Sequence, residues 1–179
     1  MPPSYYLSRA AERAEYDLHE NALDDAGYRG FLSRLALPLM QRIPAAASGL
    51  DYGCGPAPAL AQMLREAGCK VALYDSFYLP DERVLRPGYD FVCATEVVEH
   101  LHRPGAQLRQ LWSLLRTGGW LGIMTKLVRN ADAFSRWHYK NDLTHVCFFS
   151  KQTFQWLARK WQADITFAAK DVILFLKQD

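Results

Sequence analysis

The feature that most restricts the fold is a glycine-bearing turn between an apolar run and a helical pattern. The stretch GLDYGCGPAP covers residues 49–58, and its apolar run reaches Asp51 just before Gly53 and Gly55. Beyond it, apolar residues recur on one helical face at Leu60, Met63, Leu64 and Ala67. Because glycine reaches positive φ cheaply and lets a ligand approach the backbone, the pattern predicts a strand, a ligand-binding turn and a helix. The two glycines alone are equally compatible with a plain connector.

Two carboxylates stand where the predicted strands end. Asp51 ends the first apolar run, and Asp75 directly follows VALY at residues 71–74. In a parallel sheet both carboxylates lie at the edge where open α/β folds bind their ligands. The phosphate-binding pattern GxGxxG would require glycine where Pro58 stands. A carboxylate placed just before the loop therefore favours a cationic ligand over a dinucleotide.

Several segments of the chain, in the order in which they occur, resemble the motifs of one enzyme family. LDYGCGPAP resembles the first motif of class I S-adenosylmethionine-dependent methyltransferases, and Asp75 matches the acidic residue that ends the second strand of that family. YDFVCATEVVEHL at residues 89–101 and GGWLGIMT at 118–125 are similar to the motifs of the fourth and fifth strands. DLTHVCFF at 142–149 resembles a DPTHV-type segment of small methyltransferases. The resemblance implies an enzyme that uses S-adenosyl-L-methionine as cofactor and releases S-adenosyl-L-homocysteine.

The predicted architecture is an α/β fold, a three-layer αβα sandwich around a mostly parallel sheet of seven or six strands. The number of strands depends on residues near Val84, where the third strand of the family is expected to be short or absent. The chain ends in the apolar runs ADITFAA and VILFLK, which are joined by Lys170 and Asp171. So short a connection requires antiparallel neighbours, which predicts an antiparallel C-terminal hairpin.

The resemblance assigns cofactor binding to residues that follow the first, second and fourth strands of the family. These candidates are Asp51, Gly53, Cys54, Gly55, Asp75, Thr95 and Glu96. Thr95 and Glu96 leave the end of a strand, although both also fit the capping of a following helix. The residue that contacts adenine is expected at Asp81 or Glu82. Ala57 stands where the family has its third glycine, and the proline after it predicts a negative φ that alanine accommodates.

Residues 126–150 are predicted to form a long irregular loop on the substrate side. Their aromatic content argues against disorder, and the alternative is a local turn capped by Asp142 and Thr144. Methyl transfer from a sulfonium needs a base only if the acceptor arrives protonated. The catalytic candidates, in order, are His145, His100 and Tyr139. His145 comes first because imidazole accepts a proton near neutral pH.

His100 and His102 form an HxH pair, which raises the question of a metal site. Residues two apart point to different faces of a helix, and no acidic or cysteine residue has ligand spacing to the pair. The four cysteines form no CxxC pair and are expected to be reduced. No metal is expected.

Residues 1–44 are expected to be helical, with a polar helix over residues 4–27 that ends near Gly27. In many relatives of the family an N-terminal helix covers the cofactor. Tyr16, His19 and Asn21 are therefore candidates for such a lid. On a charged helix the same residues are otherwise simply solvated.

The chain of 179 residues fits one domain, residues 1–179, with a single core. Its 21 basic and 19 acidic residues leave a net charge of +2, too balanced for a nucleic-acid binder recognised by charge. The sequence shows no signal-peptide or membrane-span pattern, which predicts a cytoplasmic protein with a small-molecule acceptor and leaves the oligomeric state open. The alternative functions are cofactor binding without catalysis, or another nucleotide-using Rossmann-like enzyme.

Overall fold

The computed structural model describes residues 1–18 and 22–179. The strands are β1 (Ser48–Tyr52), β2 (Lys70–Tyr74), β3 (Tyr89–Thr95), β4 (Leu115–Met124), β5 (Leu127–Val128), β6 (Phe149–Ser150), β7 (Asp164–Ala169) and β8 (Val172–Leu176). The α-helices are α1 (Arg9–Tyr16), α2 (Ala26–Met40), α3 (Ala59–Glu66), α4 (Pro104–Leu114), α5 (Ala131–Ser135) and α6 (Lys151–Trp161). Short 3₁₀ turns lie at Pro3–Tyr5, Glu82–Val84, Val98–His100 and His138–Asn141.

The main sheet of the described chain has six strands in the order β2, β1, β3, β4, β8, β7. The first four of these pair in parallel, whereas β8 runs antiparallel to β4 and β7 runs antiparallel to β8. The predicted α/β class is confirmed, with six strands rather than seven and with the antiparallel C-terminal hairpin.

A 3₁₀ turn takes the place of the third strand. The Asp81 carboxylate accepts hydrogen bonds from the backbone N–H and the guanidinium of Arg83, at 3.0 and 2.8 Å. Local side-chain bonds of this kind compete with strand pairing, so the chain turns at Glu82–Val84 instead of extending along the sheet.

Both faces of the sheet are covered by helices. In β3, Phe91 and Cys93 belong to the apolar cluster that includes leucines of α2 and α3. Val92 and Ala94 belong to a second cluster with α4 and α6. Successive side chains of a strand point to opposite faces, so β3 lies between two helical layers and reads as a continuous apolar run. The three-layer αβα arrangement follows.

The N-terminal segment differs from the single helix predicted over residues 4–27. The Ser8 side chain caps α1, which ends at Tyr16, and the Asp25 side chain caps α2, so Gly27 lies near the start of a second helix rather than at the end of the first. Side-chain oxygens at these two positions satisfy the first N–H groups of each helix, which fixes two starts where one was expected. His19 and Asn21 lie outside the described residues.

Candidate active site

A cavity of about 810 Å³ opens at the carboxyl ends of β1, β2 and β3. This volume lies within the range of small-molecule sites, roughly 300–1,000 Å³. The cavity is lined by all seven residues to which the sequence assigned the cofactor, and by the three catalytic candidates His100, Tyr139 and His145. Residues far apart in the chain therefore meet around one space.

The turn after β1 has the backbone that its glycines predict. Gly53 and Gly55 adopt φ values of 73° and 64°. The N–H of Gly53 donates to the Tyr74 carbonyl at 2.7 Å, which ties the turn to the end of β2. A Cβ atom added at Gly55 would meet no atom within 4 Å, whereas one at Gly53 would lie 2.4 Å from a methyl group of Val97. Gly55 thus leaves open space at the cavity wall, while Gly53 is needed for packing.

The Asp75 carboxylate joins the loops that follow β1 and β2. Its Oδ2 accepts from the Gly55 N–H at 3.0 Å. Its Oδ1 accepts from the N–H groups of Phe77 and Tyr78 at 2.8 and 3.1 Å. Three backbone donors hold this carboxylate in one position against the cavity, where it can also accept hydrogen bonds from a bound ligand.

Asp51 is the buried carboxylate of the glycine turn. It is 2% exposed, and its Oδ1 has no hydrogen-bond partner among the described residues. Burial raises the pKa of Asp51 to about 7. A buried carboxylate oxygen without a donor is costly, and a cationic ligand in the cavity would remove that cost. The orphaned oxygen therefore fits a positively charged cofactor.

Two further cavity residues have simpler roles. Burial raises the pKa of the Cys54 thiol to about 12, so this side chain is a neutral wall of the cavity rather than a nucleophile. Thr95 ends β3. The following 3₁₀ turn has Val97 at its cap position with no side-chain cap, so Thr95 does not cap it and faces the cavity instead.

Glu96 is held in an unusual backbone conformation. Its φ is 51°, in the left-handed region, and its N–H donates to the Met124 carbonyl at 2.8 Å. Such conformations cost free energy and concentrate at functional sites. Burial, with repulsion from Glu99, raises the pKa of Glu96 to about 8. The turn therefore places a further carboxyl group at the cavity, beyond the end of β3.

Glu99 is a site residue that was not assigned from the sequence. It is 1% exposed, its Oε2 accepts from the Thr125 hydroxyl at 3.0 Å, and its Oε1 accepts from the Tyr139 hydroxyl. Burial raises the pKa of Glu99. The 3₁₀ turn Val98–His100 directs the Glu99 side chain inward. Its spacing of three from Glu96 was the available signal, since residues three apart share a helical face.

The two histidines are oriented by backbone carbonyls. His145 Nδ1 lies 2.6 Å from the Tyr139 carbonyl oxygen, and His100 Nδ1 lies 3.1 Å from that of Thr144. A carbonyl oxygen only accepts, so these contacts assign the proton to Nδ1 and the lone pair to Nε2 in each neutral ring. The ring centroids lie 4.7 Å apart. The Nε2 of His145 is 3.7 Å from Asp142 Oδ2.

The sequence profile of the methyltransferase domain family matches residues 24–166. The chain belongs to this family. It is an S-adenosylmethionine-dependent methyltransferase, and S-adenosyl-L-methionine is its cofactor. No curated protein sequence matches the chain significantly.

Solved methyltransferases share the fold at low sequence identity. One is a Burkholderia thailandensis 1,6-didemethyltoxoflavin-N1-methyltransferase with bound 1,6-didemethyltoxoflavin and S-adenosylhomocysteine, at 18% identity and a TM-score of 0.61 over 97% of this chain and 92% of that one. Another is an S-adenosylmethionine-dependent methyltransferase from Archaeoglobus fulgidus, at 16% identity and a TM-score of 0.61 over 77% of this chain and 71% of that one. A third is an O-methyltransferase family protein from Burkholderia thailandensis, at 14% identity and a TM-score of 0.57 over 93% of this chain and 62% of that one.

In this methyltransferase, residues 126–150 are more regular than the loop that the sequence suggested. They contain β5, α5, a 3₁₀ turn and β6, and β5 pairs in parallel with β6. The Asp142 Oδ1 accepts from the N–H and the hydroxyl of Thr144, at 2.9 and 2.6 Å, while Asp142 also lines the cavity. The local turn and the cavity wall, weighed as alternatives, therefore occur together.

The first helix of the methyltransferase lies against the cavity. Arg9, Glu12 and Tyr16 line it, and the Arg9 guanidinium donates to the Ser76 carbonyl. The Tyr16 hydroxyl donates to Glu12 Oε1 at 2.8 Å, and its ring packs edge-on against Phe77 and His100.

The two candidates for the adenine contact lie elsewhere. Asp81 and Glu82 are not among the cavity residues of the described chain, whereas Ser76, Phe77 and Tyr78 are. The carboxylate of Asp81 is instead paired with Arg83.

Proposed function

We propose that this methyltransferase transfers the methyl group of S-adenosylmethionine to a small-molecule acceptor bound in the same cavity. The observation that carries the proposal is that the proposed cofactor residues and the acceptor-side histidines line one space of about 810 Å³. Methyl transfer is an in-line displacement, in which the acceptor and the sulfonium must lie next to one another. One shared cavity meets that requirement.

At the cofactor end, the proposal gives each carboxylate a separate task. Asp75 is already fixed by three backbone N–H groups and would accept a hydrogen bond from a ribose hydroxyl through the remaining lone pair of Oδ2. The unpartnered oxygen of Asp51 would face the positively charged amino-acid end of the cofactor. Gly55 would lie against the ligand because nothing occupies the space beside its Cα. Cys54, Thr95 and Glu96 complete the wall.

At the acceptor end, His145 is the proposed proton acceptor for an acceptor that arrives protonated. Its tautomer leaves the Nε2 lone pair available for that role, and His100 has the same tautomer. The lone pair of the acceptor attacks the methyl carbon, and the electrons of the broken C–S bond return to sulfur. Burial and the neighbouring Glu99 raise the pKa of Tyr139, whose hydroxyl donates to that carboxylate, so Tyr139 orients Glu99 rather than accepting a proton.

We further propose that residues 1–179 act as one methyltransferase domain. In it, residues 1–44 cover the cofactor through α1, and residues 126–150 form the acceptor wall. The net charge of +2 and a cavity volume in the range of small-molecule sites favour a small acceptor over a nucleic acid, and a cytoplasmic location remains a prediction. None of the helices in residues 1–18 and 22–179 combines the length and the apolar character that a membrane crossing needs.

The test begins with calorimetric titration of S-adenosylhomocysteine, with NAD as a control ligand. We expect S-adenosylhomocysteine to bind and NAD not to bind. Acceptors are then screened for methyl incorporation from labelled cofactor. Heteroaromatic amines belong in the screen, because one structural neighbour binds 1,6-didemethyltoxoflavin and S-adenosylhomocysteine in the same structure. Tight NAD binding without S-adenosylhomocysteine binding would refute the proposal.

A further inference from the structure

Three metal-ligating side chains meet at the acceptor end of the cavity. Glu99, His100 and His145 each offer one ligand atom, and these atoms lie within 4.8 Å of one another. Glu99 and His145 are buried, at 1% and 6% exposure, and His100 is half-buried. The three come from two segments that are more than forty residues apart in the chain, so the cluster is a product of the fold and not of a local motif.

Each of the three side chains is held from behind by a second group. The Nδ1–H groups of His100 and His145 donate to backbone carbonyls, and the Glu99 oxygens accept from Thr125 and Tyr139. Histidines that bind metals almost always donate their other ring N–H in this way, and carboxylate ligands are likewise hydrogen-bonded. A carboxylate oxygen that accepts one hydrogen bond keeps a second lone pair for an ion.

The charge around the cluster also favours a cation. Glu96 lies beside Glu99, with the Tyr139 hydroxyl 3.4 Å from its Oε2. Lys126 is the nearby positive charge that acts on Glu96, and its Nζ lies 4.7 Å from the centre of the Tyr139 ring. The Tyr139 hydroxyl thus contacts both the buried carboxyl group of Glu99 and the half-buried one of Glu96. Two ionised carboxylates side by side repel each other, and a bound divalent ion would relieve that repulsion.

We propose that Glu99, His100 and His145 bind a divalent transition-metal ion at the acceptor end of the cavity, with Glu96 next to it. Bonds from such an ion to nitrogen and oxygen are about 2.0–2.2 Å long, so two ligand atoms in a tetrahedral site lie roughly 3.4 Å apart. Movements of each side chain by up to about 0.8 Å would bring three atoms that lie within 4.8 Å of one another to this spacing. Two imidazoles and one carboxylate leave coordination positions open on the ion, as catalytic sites require.

The ion would select acceptors with an oxygen or nitrogen atom that can bind to it, an inference that rests on the proposed function. An acceptor whose oxygen or nitrogen binds to the ion loses its proton to solvent more readily, because the ion lowers the pKa of a bound group. Its lone pair then attacks the methyl carbon, and sulfur takes the electrons of the C–S bond. With the ion bound, the His145 lone pair is used for coordination, and the ion replaces His145 as the promoter of proton loss. The proposed site differs from the sequence-based expectation of no metal. It uses His100 of the HxH pair but not His102.

The direct test is titration of the purified chain with Co²⁺, followed by visible absorption, and with Zn²⁺, followed by calorimetry. One ion per chain is expected, with a dissociation constant on the order of 10 µM or below. His100→Ala and Glu99→Gln are each expected to weaken binding by at least about 30-fold while the circular dichroism spectrum stays folded. Two variants are used because the buried Glu99 is the riskier position for folding.

His102→Ala is the matched control, since it removes the other histidine of the HxH pair, which stacks on Tyr6. Metal affinity is expected to be unchanged in this variant. Saturation with Co²⁺ or Zn²⁺ only in the millimolar range, or equal binding by wild type and both ligand variants, would overturn the assignment. Calorimetry with S-adenosylhomocysteine on the same samples separates the two proposals: cofactor binding without metal binding removes only the metal site, and the reverse removes only the cofactor site.

Discussion

The two ends of the cavity differ in what brings their residues together. Asp51, Gly55 and Asp75 of the cofactor end lie on two neighbouring strands and their loops, and Thr95 and Glu96 end or follow β3, the next strand of the sheet. The acceptor end combines Glu99, Thr125 and residues of the segment 126–150. The first end is set by strand order and a glycine turn, and the second exists only when distant segments pack. A change at one end should therefore affect one function and spare the other.

The largest effect is expected for His145→Ala, which tests whether turnover can be lost at the acceptor end while the cofactor end still binds its ligand. Turnover should fall by about 10²- to 10⁴-fold, because the variant removes the proposed proton acceptor or, with the ion bound, one of the proposed metal ligands. Affinity for S-adenosylhomocysteine should change little. Turnover, melting temperature and cofactor affinity are measured on the same variant with an identified acceptor. If the remaining folded protein turns over normally, His145 is structural only.

The corresponding test at the cofactor end is Asp75→Ala. Loss of a charge-assisted acceptor should weaken S-adenosylhomocysteine binding by about 1.5–3 kcal/mol, measured by calorimetry. The melting temperature should also fall, since three backbone N–H groups lose their partner. Asp81→Ala is the control, because Asp81 pairs with Arg83 away from the cavity. Equal affinities of the two variants would remove Asp75 from the site.

The two glycines sharpen the comparison within the cofactor end. Both have positive φ, so alanine at either position should cost about 1 kcal/mol of backbone strain. At Gly53 the added Cβ would also lie 2.4 Å from Val97, so Gly53→Ala should be the less stable variant in urea unfolding. Gly55→Ala meets no protein atom within 4 Å and should lose cofactor affinity more than stability. If Gly53→Ala instead loses more cofactor affinity and Gly55→Ala loses more stability, the ligand does not lie against Gly55.

A smaller effect is expected in the pH dependence of stability. The raised pKa of Glu96, about 8, means that the folded chain keeps a proton that the unfolded chain releases at lower pH. Between about pH 5 and 8 the folded state therefore binds more protons, and the free energy of unfolding falls as the pH rises. Asp51 acts in the same direction.

Glu96→Gln removes the contribution of Glu96, so its stability should fall less steeply over this range than that of wild type. Urea unfolding at about pH 5 and 8 measures both slopes. Parallel curves for the two proteins would show that burial does not raise the pKa of Glu96.

The same contrast explains what the sequence could predict. Asp51, Gly53 and Asp75 were placed at a ligand-binding edge of the sheet from hydrophobic periodicity, a glycine pair and strand ends, which are local signals. The resemblance to the family then assigned them to the cofactor. Glu99 was not assigned, because its burial depends on Tyr139 and Thr125, which arrive from elsewhere in the chain. The start of α2 was missed because the cap at Asp25 lies within a polar stretch that also fits one continuous helix. Tertiary packing and cap geometry, rather than periodicity, decided these positions.

The position of Asp75 has a consequence for how the cofactor binds. Since its carboxylate already holds the Gly55, Phe77 and Tyr78 N–H groups, the two loops that receive the ligand are ordered before it arrives. A preordered loop pays little conformational entropy on binding. The heat-capacity change of S-adenosylhomocysteine binding should then reflect the apolar surface that the ligand itself buries, without the larger negative contribution of a segment that folds around it.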